Sequence, residues 1–376
     1  MNVDWLIVGA GLTGCTMAER IACQRDETVL IVEQRDHIAG NAWDEYSEDG
    51  ILLHKYGPHI FHTNSKKVWD YLSHFTRWRS YFHLVLASVE GNLVPLPFNL
   101  NSIEQIFPTA MAERLTHKLV NRYGYESKVP ILELRKTKDV DLRFLADYVY
   151  KNVFQNYTIK QWGMKPEELL PTVSARVPIL ISRDNRYFQD IYQGIPSHGY
   201  GALVRNMLRH PNIRIMLNTR WQDIRQDVTF KRMVFTGPID EYFEYKHGEL
   251  PYRSLYFNLQ TLPIAQYQPA SQINYPNEYD YTRITEHKLL TGQIHSMTTI
   301  IHEYPMTHIT GQTVPYYPVP TATNQDIYRE YANEAYGLGD KVIFIGRLAD
   351  YKYYNMDQVV ELALAKIETI DGGVNS

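Results

Sequence analysis

The stretch VDWLIVGAGLTG, Val3 to Gly14, decides the fold. Its apolar run predicts a buried strand over 3–9, then a glycine turn, then a helix to about residue 24. TVLIVE, residues 28–33, reads as a second apolar strand. Strand, helix, strand in this order is a β-α-β unit, which implies a parallel sheet. Gly9, Gly11 and Gly14 have the spacing G-x-G-x-x-G, and Glu33 closes the second strand nineteen residues after Gly14. That context completes the dinucleotide fingerprint. Gly9 permits the tight turn, Gly11 lets backbone approach a pyrophosphate, and Gly14 lets helix and strand pack. The pyrophosphate belongs on the helix N-terminus and a ribose on Glu33.

Working outward, residues 66–80 look helical, and 84–97 look like a hairpin around Glu90-Gly91-Asn92. Residues 101–170 are mostly helical, 176–196 irregular, and 200–209 helical again, with strands at 213–217 and 231–236. Residues 240–320 carry short β-like runs broken by Pro, Gly and Asn. KVIFIG, residues 341–346, is another buried strand, followed by a helix over about 357–370. The expected fold is α/β, a discontinuous Rossmann-like domain with a helical insertion and an antiparallel β-sheet insertion. The nucleotide-binding domain is assigned to 1–65, 196–240 and 335–376. The helical domain takes 66–83 and 101–176, and the sheet domain 84–100, 177–195 and 241–334.

The whole chain of 376 residues, with net charge -4, has the composition of a globular protein. Its 38 Lys+Arg against 42 Asp+Glu give no basic field for nucleic acid. No apolar window is long enough for a membrane span. The start lacks the pattern of a signal peptide, so a cytoplasmic protein is expected. Cys15 and Cys23 lie about 12 Å apart along a predicted helix, too far for a disulfide. No CxxC or HExxH spacing points to zinc. Tyrosine is abundant, with 29 Tyr against 13 Phe and 6 Trp. Tyrosine suits polar ligands such as sugars and phosphates, although most of the 29 read as half-buried packing residues.

After Glu33, the run Gln34-Arg35-Asp36-His37-Ile38-Ala39-Gly40-Asn41 is similar to FAD-binding proteins of the amine-oxidase-like group. In such proteins a late strand, here ending at Phe344-Ile345-Gly346-Arg347, and the N-terminus of the following helix lie beside the flavin, where the helix dipole favours negative charge. Five further strings carry a more specific resemblance. They are YGPHIFHT (56–63), YTIKQWG (157–163), YTRITEHK (281–288), PYYP (315–318) and GRLADYKYY (346–354). Together, in this order and nearly end to end, they resemble the bacterial UDP-galactopyranose mutase family.

The resemblance implies an isomerase that interconverts the pyranose and furanose forms of a nucleotide-linked hexose. The family uses FAD, active when reduced, without net redox change. Reduced flavin N5 is the nucleophile at the anomeric carbon. Arg176 and Arg283 match the family's diphosphate-binding arginines, whose paired donors stabilise the leaving group. His62 matches the histidine near the flavin and completes the catalytic set. Tyr187, Tyr317 and Tyr353 match diphosphate-contacting tyrosines. Tyr157 and Trp162 match nucleotide-binding and mobile-loop positions, with Gly163 and Pro166 fitting a loop that closes over substrate. The resemblance assigns cofactor binding to Gly9, Gly11, Leu12, Thr13, Gly14, Glu33, Gln34, Arg35, Asn41, His59, Arg347 and Met356.

The chain departs from the family pattern at several points. His83 replaces an Asn at a sugar-pocket position, and Asn355 replaces an Asp after the late tyrosines. An arginine is missing at Pro178-Ile179-Leu180, and Ala39 replaces a glycine in the flavin loop. The substrate is left between UDP-galactopyranose and dTDP-fucopyranose, whose 6-deoxy sugar suits a larger side chain at position 83. The family implies a homodimer and a product destined for a surface glycan such as the O antigen of lipopolysaccharide. Two other readings stand beside this one. An amine-oxidase-like FAD oxidoreductase would oxidise its substrate, and a non-catalytic nucleotide-sugar-binding protein would bind without turnover.

Overall fold

In the computed structural model, which describes residues 1–170 and 178–372, the chain divides into two compact units. The first comprises Met1–Tyr81, Asp190–Tyr252 and the chain from Thr323 onward. The second comprises Phe82–Gln189 and Arg253–Ala322.

The first unit is built on a five-stranded sheet in the order Ile213–Met216, Val29–Val32, Asn2–Val8, Thr229–Phe235, Val342–Phe344. Every adjacent pair is parallel, as the opening β-α-β pattern requires. Val29–Val32 is buried along its whole length, as expected of a strand covered on both faces. One face packs on the helices Leu12–Arg25, Tyr200–Met207 and Met356–Gly372 through residues such as Ile7, Ala18, Leu203 and Val360. The other face buries Leu6, Leu30, Met233 and Phe235 in a separate cluster.

The second unit carries a seven-stranded sheet in the order Tyr317–Pro318, Tyr252–Leu262, Thr298–Thr307, Arg283–Glu286, Gln272–Asn274, Val85–Val89, Asn92–Leu96. From Tyr252–Leu262 to Asn92–Leu96 its pairs are antiparallel, except where Gln272–Asn274 runs parallel to Val85–Val89. The hairpin turn at Glu90 and Gly91 has φ values of 49° and 82°, the left-handed pair that matches strand twist. The helices Leu100–Ile106, Thr109–Tyr123 and Val140–Val149 bury Ile103, Leu115, Leu145 and Val149 with Val85 and Val94 of this hairpin.

Four segments differ from the sequence reading. The helix predicted over 66–80 stops at Ser73, and Trp78–Ser80 is a strand. The Trp78 ring stacks on Trp69 at 4.5 Å and on Phe61 at 5.0 Å, so aromatic packing overrides helical spacing. Tyr192–Pro196, read as irregular, is the central strand of a three-stranded sheet with Phe61–Thr63 and Trp78–Ser80. The short runs over 240–320 include two long strands, Tyr252–Leu262 and Thr298–Thr307, paired over ten residues of each. The helix Ala322–Gly337 has no counterpart in the sequence reading. It buries Tyr331, whose hydroxyl donates to the Gly248 carbonyl at 2.8 Å.

Candidate functional site

The fingerprint turn has the geometry the glycines imply. Gly9 has φ +101°, and a Cβ there would stand 2.2 Å from Thr236 Oγ1. A Cβ on Gly14 would strike the Gly9 carbonyl at 2.1 Å. A Cβ on Gly11 would meet nothing within 4 Å, so its face is open. Gly11 caps the helix Leu12–Arg25 without a side-chain hydrogen bond, and the first turn holds no acidic residue. The Gly11 face at the amide end of this helix is therefore open, and no acidic residue of the first turn competes for its dipole, which suits a phosphate.

Two other segments pack onto this turn. Glu33, buried, accepts from the Ala10 N–H through Oε2 at 2.9 Å and from the Arg35 N–H through Oε1 at 3.0 Å. Gly40 lies so close that its Cβ would be 2.9 Å from Gly11 Cα. Arg35 donates from Nη2 to Asn41 Oδ1 at 2.9 Å, and its guanidinium lies 4.6 Å from the centre of the Tyr56 ring. Arg35 Nη1 is buried with no hydrogen-bond partner among the described residues. Gly346 turns the chain at φ +110°, 3.0 Å from Thr13 Oγ1 by the same measure. Beyond it, Arg347 donates to the Tyr354 carbonyl at 2.5 Å and covers the Tyr353 ring at 5.2 Å. Asn355 N–H donates to Gln358 Oε1 at 2.9 Å, and Met356 opens the last helix.

An open glycine face at a helix N-terminus, a buried carboxylate and a buried guanidinium nitrogen with no partner among the described residues fit a dinucleotide cofactor. Leu12 and Thr13 are buried in the first turn of the helix, whereas Gln34 is exposed. His59 donates its backbone N–H to His54 Nδ1 at 3.0 Å, and its own Nδ1 lies 2.8 Å from the Gly57 carbonyl. His62 Nδ1 pairs with Asp190 Oδ2 at 2.9 Å, and Asn64 donates to the other Asp190 oxygen at 2.8 Å. The His62–Asp190 pair fixes the ring's orientation, a partner the sequence reading did not name.

In the second unit, Arg283 begins an inner strand of the large sheet. It donates to Glu303 Oε2 from Nε at 2.9 Å and from Nη2 at 2.7 Å. The Glu303 side chain is 3% exposed. Desolvation works against the guanidinium charge, but Glu303, together with Tyr157 and Tyr317, holds the Arg283 pKa above its ordinary value. Both bonds use the Nε–Nη2 edge, so the Nη1 edge is not committed to Glu303. Trp162 ends the helix Asn156–Trp162, and its ring lies 6.0 Å from that of Tyr317. Gly163 caps that helix with φ +70°. Pro166–Glu168 form a short 3-10 turn, from which Glu167 accepts from Arg135 at 3.2 Å. A π-helical turn, Tyr150–Gln155, precedes the helix. His83 is buried beside Tyr187 and Phe188, with ring centres 5.7 and 6.1 Å away, and Ser271 Oγ lies 3.4 Å from its Nδ1.

A family model described as UDP-galactopyranose mutase matches residues 152–353. The chain belongs to the UDP-galactopyranose mutase family.

A second model, for NAD(P)-binding Rossmann-like domains, matches residues 7–75. The chain is 33% identical over 366 residues to dTDP-fucopyranose mutase of Escherichia coli, covering 96% of each chain. It is 34% identical over 368 residues to a probable UDP-galactopyranose mutase of Klebsiella pneumoniae, covering 96% of this chain and 93% of that one. A crystal structure of reduced UDP-galactopyranose mutase superposes with a TM-score of 0.74 over all of this chain and 95% of that one, at 15% identity, and so shares the fold. Members of the mutase family are FAD-dependent isomerases of nucleotide sugars, and this chain is an enzyme of that class.

Within the units, the structure gathers many of the residues picked out by the family resemblance. Glu33, Arg35 and Asn41 adjoin the fingerprint turn, Arg347 adjoins Tyr353, Tyr157 and Tyr317 act on the charge of Arg283, and Trp162 adjoins Tyr317. Arg176 lies outside the described residues. The other charges of the 281–288 motif face different tasks. Glu286 accepts from the backbone N–H groups of Tyr267 and Gln268, and Lys288 donates to the carbonyls of His295 and Met297 at 2.7 and 2.9 Å. They tie loops to the sheet. Glu303 was missed. It shares one buried face of its strand with Thr299 and Ile301. Among the described residues no group of three His, Cys, Asp or Glu could hold a metal, and no helix is long and apolar enough to cross a membrane.

Proposed function

We infer that this mutase acts on UDP-galactopyranose or on its 6-deoxy relative dTDP-fucopyranose, returning the furanose form. The observation that carries the reading is Arg283, held by buried Glu303 and near enough to Tyr157 and Tyr317 for both to act on its charge. A permanent cation among hydroxyl donors is the equipment for binding a diphosphate and stabilising it as a leaving group. Arg176 joins it in this role. Tyr187 and Tyr353 supply further hydroxyls, while Tyr157 and Trp162 take the nucleotide.

FAD is held by Gly9, Gly11, Leu12, Thr13, Gly14, Glu33, Gln34, Arg35, Asn41, His59, Arg347 and Met356. When bound and reduced, it supplies the nucleophile for the anomeric carbon. The protein's own part is to bind and orient the nucleotide sugar, neutralise the diphosphate and, through His62, place an imidazole near the cofactor. His83 and Asn355 are the residues assigned to the sugar. The three-part division into nucleotide, helical and sheet domains, a homodimeric state, a cytoplasmic location and a product for O antigen or another lipopolysaccharide glycan complete the proposal.

The test uses protein reduced with dithionite and incubated in parallel with UDP-galactofuranose and dTDP-fucofuranose, with chromatography of the products. Pyranose from one compound identifies the substrate. No conversion of either, or turnover only with oxidised flavin and net substrate oxidation, would overturn the reading.

A further inference from the structure

Arg253 has no role in the reading above, yet its side chain and backbone hold two walls of the proposed nucleotide site. It lies on the strand Tyr252–Leu262, opposite Thr307. Its guanidinium donates from Nε to the Gln161 carbonyl at 3.0 Å and from Nη2 to the Lys160 carbonyl at 3.2 Å. Nη1 donates to Thr307 Oγ1 at 3.1 Å, which fixes the fork to the sheet. The two carbonyls belong to the last turn of the helix carrying Tyr157 and Trp162. A cation there satisfies orphan acceptors and complements the helix dipole.

The backbone of the same residue serves the other wall. The Arg253 carbonyl accepts from Tyr316 N–H at 2.9 Å, and Ser254 Oγ donates to the Val314 carbonyl at 2.7 Å. These bonds seat the strand that presents Tyr317. The helix needs such support, because it is seven residues long and follows a π-helical turn. Gly163, which caps it, leaves room for the fork. A Cβ there would stand 3.3 Å from Arg253 Nη1. At other points Lys160 Nζ donates to the Tyr275 carbonyl at 2.9 Å, and Asn156 donates to Asn277 at 2.9 Å. These bonds brace the helix but do not touch the strand of Tyr317.

We propose that Arg253 is a positioning residue that sets Trp162 against Tyr317 and so holds the nucleotide-diphosphate site in its binding form. The proposal rests on the assignment of Trp162 and Tyr317 to substrate. The fork binds two carbonyls and a hydroxyl at once, so lysine, with a compact ammonium, reproduces only part of it.

The experiment compares FAD-loaded wild type, Arg253→Met and Arg253→Lys. Amide hydrogen exchange is followed across 156–163 without nucleotide. UDP and dTDP are titrated by tryptophan fluorescence, and KM and kcat are measured on the active substrate. Arg253→Met is expected to speed exchange in this segment, to weaken nucleotide binding and raise KM by about tenfold or more, and to leave kcat within about threefold, the pattern of lost uniform binding. Arg253→Lys is expected to fall between. Wild-type exchange in Arg253→Met, or faster exchange with unchanged nucleotide affinity and KM, would overturn the proposal. If Arg253→Met does not fold, Arg253→Lys decides in the same way, and wild-type affinity in it overturns the proposal. Should wild-type protein bind neither nucleotide, the substrate assignment fails and the proposal falls with it, whereas the exchange comparison still shows whether Arg253 holds the helix.

Discussion

One oxygen of Glu303 takes both donors of Arg283, and the other is buried with no hydrogen-bond partner among the described residues. Among the described residues, Arg283 is the cation paired with this carboxylate. Removing the arginine therefore does more than remove a phosphate ligand, because it strands a buried charge, which costs about 3–5 kcal/mol. Arg283→Ala is expected to abolish turnover while FAD stays bound, and also to lower unfolding free energy by about that amount. Adding Glu303→Gln should restore most of the stability and none of the turnover. Urea unfolding and the mutase assay on both variants separate the two effects. Full stability in Arg283→Ala would contradict the pairing.

The two central glycines of the fingerprint are expected to fail differently. Gly9→Ala places a Cβ on Thr236 Oγ1 at a left-handed backbone position, so the fold itself suffers. Gly11 has an ordinary φ of -74° and nothing within 4 Å of the added carbon. Gly11→Ala is expected to cost about 1 kcal/mol or less as a poorer helix cap, yet to lose FAD from the purified protein. Flavin absorbance and apoprotein melting measure the two outcomes. Retention of FAD by folded Gly11→Ala would show that the pyrophosphate does not use this face.

Asp240 gives a pH signature. Burial raises its carboxyl pKa to about 6, although the Leu250 N–H donates to Oδ2 at 2.8 Å. The folded value lies above the unfolded one, so the stability tied to the neutral form is present below about pH 4 and is lost as pH rises through 6. Asp240→Asn never ionises. Relative to this variant, the wild type should lose roughly 2–3 kcal/mol between pH 4 and pH 7.5. Paired denaturant titrations at the two pH values test this, and an unchanged gap would contradict it.

His83 is the residue on which sugar preference is expected to turn. Its ring is buried beside Tyr187 and Phe188. His83→Asn is expected to shift the ratio of kcat/KM by about tenfold or more toward UDP-galactose over dTDP-fucose, the scale on which a pocket discriminates a single small group of its substrate. Competition between the two sugars in one vessel measures the ratio directly.

The nucleotide-binding half of the fold was legible because its signals are local. Gly9, Gly11, Gly14 and Glu33 lie within one β-α-β unit, and each has a steric or hydrogen-bonding reason readable from spacing. Arg283 was legible only through a longer motif, since a lone arginine in a β-run has no signature of its own. Glu303 escaped because its partner lies on a neighbouring strand, twenty residues away, and pairing register is not written in either segment alone. Trp78–Ser80 escaped for a similar reason, as its ring stacks decide its conformation from outside the segment.

The order of strands in the first sheet also governs how the chain can be made. Asn2–Val8 is made before both of its neighbours, Val29–Val32 and Thr229–Phe235, and sits between them. One of its edges has no partner until the chain has grown by more than two hundred residues, roughly 10–45 s at ordinary rates of synthesis. During that interval the nascent protein displays an apolar, unpaired strand edge, an invitation to aggregation. Expression that is too fast, or poor in chaperones, is therefore expected to lose this protein as inclusion bodies before its cofactor can be bound.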